Sequence, residues 1–143
     1  MWRTTRGLFA VVLVPMSSNA VADTVTREQI AQGKLLYDKH CATCHGKNLE
    51  GEPNWRQPKP NGRLPAPPHD ASGHTWHHSM EQLFRITKLG TEKIVGGDYK
   101  SDMPGFANIL SDAEIRAVLA FIKSTWPLHI RQRHDAMKGR TKQ

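Results

Sequence analysis

Three stretches of the chain carry apolar residues at the three- and four-residue steps of a helix, and each opens with the same polar signature. Thr26-Arg27-Glu28-Gln29 is an S/T-x-x-E/Q capping box, after which Ile30, Gly33, Tyr37 and Cys41 line one face. A glycine inside a helix costs about 1 kcal/mol against alanine, so Gly33 predicts the close approach of another helix. Ser79-Met80-Glu81-Gln82 opens the second run, with Met80, Leu83, Phe84 and Thr87 on one face and Gly90 placed for a left-handed C-terminal cap. Ser111-Asp112-Ala113-Glu114 opens the third, where Ile115, Val118, Leu119 and Ile122 form the buried stripe, Phe121 adds bulk and Pro127 stops the helix. Three boxes, each before a periodic run, predict a mainly helical protein.

The pattern breaks in three places. Residues 53–78 hold six of the nine prolines and four of the eight histidines, which forbids a regular helix and predicts a long connection anchored by Trp55 and Trp76. At the start, Arg3 and Arg6 precede the short apolar run Gly7–Pro15, and Ala20-Val21-Ala22 offers a cleavage site before Asp23. That is the layout of an export signal over residues 1–22, and the run is well short of the ~20 residues a membrane span needs. After Pro127 the apolar residues are few and scattered, and Arg131, Arg133, Lys138, Arg140 and Lys142 face a single acid, Asp135. The expected organisation is a signal peptide at 1–22, one domain at 23–127 and a solvated basic tail at 128–143. Loss of the signal would lower the formal net charge from +7 to +5.

Only two cysteines occur, and they fall together in Cys41-Ala42-Thr43-Cys44-His45. This is the C-x-x-C-H pattern of covalent haem c attachment. Residues three apart on a helical turn share a face, so two thiols can reach the two vinyl groups on one edge of a porphyrin. His45 then offers its imidazole to the iron. A redox disulfide would need the βαβ setting of a thioredoxin-like site, which is missing. A zinc site with His40 and His45 would draw its ligand pairs from one short segment, against the usual arrangement. No Ser/His/Asp grouping, phosphate loop or nucleic-acid motif is present.

With these elements placed, the chain resembles a class I, mitochondrial-type cytochrome c of the bacterial periplasmic kind over roughly residues 27–127. The resemblance implies an all-α fold of three to five helices wrapped round one covalently attached haem, with haem ligation outside the cytoplasm, which agrees with the signal. It implies that Gly33 and Tyr37 meet the last helix at Val118 and Phe121. Ser101-Asp102-Met103-Pro104-Gly105-Phe106 is similar to the family's Met-Pro loop, so Met103 is implied as the distal iron ligand opposite His45. Pro53 is implied as the proline whose carbonyl takes the proton of the ligand histidine, and Trp76 as the tryptophan whose indole meets a haem propionate. His74, His77 and His78 depart from the family pattern, and copper is their other conceivable use.

The implied function is periplasmic transfer of single electrons by a monohaem carrier, not an enzyme. Its partners would be redox proteins with acidic docking surfaces: a dehydrogenase or quinol oxidoreductase as donor, an oxidase or reductase as acceptor. The alternative is a fixed haem c subunit of a larger oxidoreductase complex. A haem enzyme or gas sensor with an open iron site is a further alternative. The basic tail would add weak affinity for an anionic membrane surface.

Overall fold

The structure, a computed structural model, describes residues 25–139. The expected signal, its cleavage site and residues 140–143 lie outside the described residues. Six α-helices follow in order: α1 (Arg27–His40), α2 (Ala42–His45), α3 (Met80–Leu89), α4 (Thr91–Val95), α5 (Asp112–Ser124) and α6 (Leu128–Asp135). Short 3-10 turns stand at Thr75–His77 and Ala136–Gly139. The all-α expectation holds, with six helices among the described residues instead of three to five.

The helix starts follow the polar signatures. Thr26 Oγ1 accepts from the Gln29 N–H at 3.1 Å and Ser79 Oγ from the Gln82 N–H at 3.2 Å. At α5 the box is reciprocal: Ser111 Oγ accepts from the Glu114 N–H, and the Glu114 carboxylate accepts from the Ser111 N–H at 2.8 Å. These bonds satisfy N–H groups that the first helical turn leaves unpaired.

α1 packs across α5, and α3 joins them from the side. A Cβ at Gly33 would lie 2.0 Å from the Ala117 carbonyl oxygen and 3.0 Å from Phe121 Cβ. The missing side chain is what lets the two backbones touch. Phe121 is a partner as expected, but the closest atoms belong to Ala117 and not to Val118, which is buried in the core. Tyr37, one turn on from Gly33, is fully buried with its ring 5.5 Å from that of Phe121. Ile115, Leu119, Ile122, Leu83 and Phe84 complete the core.

The tail departs from expectation. α5 ends at Ser124, and Pro127 then caps a new helix, α6. Ile130 is 7% exposed and His134 1% exposed. His134 donates from Nε2 to the His78 carbonyl at 3.0 Å, and its ring meets Trp126 edge-on at 5.1 Å. Asp135 pairs with Lys123. The fold therefore closes through Asp135, not near Trp126. The stripe that docks α6 has only two members, four residues apart, and one is a histidine, which reads as polar in any hydrophobic pattern.

Two substitutions test this packing. Gly33→Ala should cost about 3 kcal/mol, the upper end of ordinary overpacking, because the obstacle is backbone and cannot rotate away; urea unfolding measures it, and an unchanged midpoint would show that α1 and α5 are farther apart. Ile130→Ala should cost about 2 kcal/mol in the same assay, whereas a solvated tail would lose nothing.

Candidate haem-attachment site

The end of α1 runs directly into the C-x-x-C-H turn. The Cys41 N–H bonds the Tyr37 carbonyl at 2.8 Å, and the Cys41 carbonyl accepts from the N–H groups of Cys44 at 3.1 Å and His45 at 2.9 Å. The Tyr37 hydroxyl donates to the Gly46 carbonyl at 2.8 Å, tying the turn back to the helix crossing. Both thiols are free, with Cys41 half-buried and Cys44 exposed. Burial, and then the neighbouring Cys44, push the Cys41 thiol up to about 11.

His45 is 6% exposed, and its Nδ1–H donates to the Pro67 carbonyl at 2.8 Å. Burial lowers its pKa, while the Pro67 bond and the Glu52 charge oppose that shift. A neutral imidazole with Nδ1 committed as donor keeps the Nε2 lone pair for a metal. Pro53 does not fill this role. It is exposed, because the chain first turns tightly back, with the Gly51 N–H on the His45 carbonyl at 2.8 Å, then leaves and returns only at Ala66. The Glu52 N–H bonds the Ala66 carbonyl at 2.8 Å, and the Glu52 carboxylate accepts from the Ala66 N–H at 2.6 Å. That closure brings Pro67 to His45.

The excursion between these points is a strap with its own turn, where the Lys59 N–H meets the Arg63 carbonyl at 2.9 Å. Its basic residues reach the Met103 loop. Arg63 pairs with Asp102, and Lys59 lies 3.2 Å from Glu52 and 4.0 Å from Asp102. Met103 itself is half-buried. Its N–H donates to Ser101 Oγ at 3.1 Å, while the Ser101 N–H donates to Glu92 at 2.9 Å. Downstream, the N–H groups of Phe106 and Ala107 take up the last carbonyls of α3, those of Thr87 and Lys88, at 3.0 and 3.1 Å. Gly90 stands at the end of α3 with φ 87° and ψ 153°, a positive φ but not the left-handed helical cap expected. A Cβ there would lie 2.8 Å from the Gly105 nitrogen, so glycine is required for the loop to dock.

Trp76 does not present a free indole N–H. It donates to the Ala71 carbonyl at 3.3 Å, while Arg133 lies over the ring at 5.3 Å and His77 packs on it at 3.8 Å. This commitment is local, five residues back in the chain. His74, His77 and His78 are spread among aromatic contacts: His74 stacks on Trp55 at 5.1 Å and meets His78 edge-on at 5.4 Å. Among the described residues no group of three or more His, Cys, Asp or Glu is arranged to hold a metal ion.

Three residues of the site carried no signal in the chain. Pro67 was one proline among several. Arg63 reaches its partner 39 residues away. His69, whose pKa is held well below the ordinary value first by burial and then by His45 and His74, lies face to face with His45.

A family model described as Cytochrome c matches residues 30–126. The chain belongs to the cytochrome c family. Cytochromes c of this family carry covalently attached haem c with its iron. Curated relatives include the cytochrome bc1 complex cytochrome c subunits of Mycobacterium tuberculosis and Mycobacterium leprae, each 43% identical over 51 residues, which is 36% of this chain and 18% of theirs. The corresponding subunit of Corynebacterium efficiens is 44% identical over 45 residues, 32% of this chain and 15% of that one. The chain thus spans under a fifth of the length of these relatives. No solved structure matches it significantly.

The residues present fit such a group: two unbridged thiols on one turn, beside a buried, neutral histidine whose second nitrogen is already bonded. The strap also makes a claim that can be measured without the cofactor's spectrum. Arg63→Ala should lower hydrogen-exchange protection of the amides of residues 101–103 and 105 up to about fivefold at low salt, the equivalent of the ~1 kcal/mol that a half-exposed ion pair reaches. The difference should vanish at high salt, and equal protection at low salt would show that the strap does not hold the loop.

Proposed function

We propose that this cytochrome c relays single electrons through one haem held by Cys41 and Cys44, with His45 and Met103 as axial iron ligands, as a haem c subunit of a larger oxidoreductase complex. The observation that carries the reading is the pairing of the two thiols with the buried His45, its Nδ1–H on the Pro67 carbonyl. Bound there, the haem iron supplies the one-electron Fe(III)/Fe(II) couple.

The chain's own residues do the rest. Cys41 and Cys44 would hold the ring edge as thioethers and prevent its loss. His45 binds in its neutral form, and the Pro67 carbonyl strengthens it as a donor by sharing the Nδ1 proton. Met103 offers a soft thioether that raises the reduction potential. His45 and Met103 would together close the iron to a substrate, which favours electron transfer over catalysis there.

The sequence favoured a freely diffusing carrier, whereas the named relatives are subunits of bc1 complexes, which supports the subunit reading. A quinol-oxidising complex is then the donor side, and a terminal oxidase or reductase the acceptor. Export to the periplasm follows from the expected signal at 1–22, and the formal charge of +5 that remains once those residues are removed favours acidic docking faces.

Intact mass after expression with haem-attachment machinery should show one haem, and the mature chain should begin at Asp23. Met103→Ala should keep the haem, open the sixth position to exogenous ligand and lower the potential; an unchanged spectrum and potential would remove Met103 from the iron. In native extracts the protein should elute with a large oxidoreductase, and elution alone at the size of the monomer would return the function to a mobile carrier.

A further inference from the structure

The His45 ring has a second partner besides Pro67. The imidazole of His69 lies on its face, with ring centroids 4.0 Å apart and planes inclined by 21°. We propose that His69 is a positioning residue for the axial ligand, fixing the plane of the His45 imidazole by stacking. The proposal rests on the haem reading above and concerns how the proximal ligand is oriented.

The arrangement is held at every point where His69 could move. Its Nδ1 lies 2.8 Å from Thr75 Oγ1, and that buried hydroxyl lies 3.3 Å from the Pro68 carbonyl. A carbonyl can only accept, so the single hydroxyl proton goes to Pro68, and His69 donates from Nδ1. The ring also meets the buried Tyr37 edge-on at 6.3 Å with planes at 71°. The His69 N–H bonds the Leu49 carbonyl at 2.8 Å, and the His69 carbonyl accepts from the Trp126 indole N–H, also at 2.8 Å. Leu49 adopts φ 66°, a left-handed conformation unfavourable for a branched side chain. Backbone strain kept beside a ligand-bearing turn indicates that the surrounding structure enforces the geometry.

The hydrogen bond to Pro67 fixes where Nδ1 points. A flat ring in contact along the face of His45 limits a different motion, the rotation of the imidazole plane about the bond from Nε2 to the iron. Turning that plane would drive the edge of His45 into His69. The plane angle of an axial imidazole, together with the orientation of the thioether on the other side, would set how unpaired spin in the Fe(III) state is spread over the ring methyl groups, so proton NMR responds to a change in it.

The test compares two apolar replacements made in the holoprotein. His69→Phe keeps a flat face, and His69→Leu fills the space without one. Intact mass and the optical band of the iron–methionine bond come first: a wild-type chain lacking haem would sink the haem reading itself, not the role of His69. In haem-loaded protein, Phe should preserve the order and spread of the hyperfine-shifted methyl resonances, and Leu should shift the order and narrow the spread. Thr75→Val, which removes the acceptor for Nδ1, should fall between. A wild-type pattern in His69→Leu would overturn the proposal, as would Phe and Leu patterns disturbed alike. If His69→Leu takes up no haem, Thr75→Val decides: a wild-type pattern there overturns the proposal, and a narrowed one supports it.

Discussion

Backbone rests on backbone where Gly33 of α1 meets Ala117 of α5, and the rest of the molecule depends on that contact. No side chain separates the helices at the crossing, so Tyr37 comes close enough to lie against Phe121, with its hydroxyl on the Gly46 carbonyl. That single hydroxyl links the helix crossing to the turn that carries Cys41, Cys44 and His45. A displacement of α1 by the width of one methyl group would be passed through Tyr37 to the turn that carries His45, because packed interiors transmit strain and do not absorb it.

The features legible in the chain were the local ones. Capping boxes involve residues three apart, the helical stripes repeat every three or four, and C-x-x-C-H occupies one turn, so each is written within a few positions. Gly33 was legible for a different reason: its cost in a helix demands an explanation, and only a neighbouring helix supplies one. Most of the failures were at long range, the indole of Trp76 and the cap at Gly90 being local exceptions. Choosing Pro67 over Pro53 depends on where the chain returns after a strap whose closure is made by Glu52 and Ala66. The indole of Trp76 is taken by a carbonyl that composition does not flag, and the anchor of the His69 backbone is Trp126, 57 residues away. α6 was missed because half of its buried stripe is His134, satisfied by the His78 carbonyl and so able to pass into the interior.

The proline-rich connection acquires a role from these contacts. Its second half delivers Pro67 and His69 to the His45 ring, and its first half sends Lys59 and Arg63 to the loop that carries Met103. One segment thereby touches both the C-x-x-C-H turn and the Met103 loop. Its prolines reduce the number of unfolded conformations available to it, which lowers the entropy lost when a long irregular segment is held in place.

The docking of α6 bears on how the protein meets a charged surface. Charges on a floating terminus sample all directions, so they pull a molecule toward an acidic partner without turning it. Arg131 and Arg133 stand instead on a helix fastened by Ile130, His134 and the Lys123–Asp135 pair. Fixed in the molecular frame, they exert a torque as well as an attraction. An acidic surface approaching this helix would meet charges in fixed positions and be turned as well as drawn toward it.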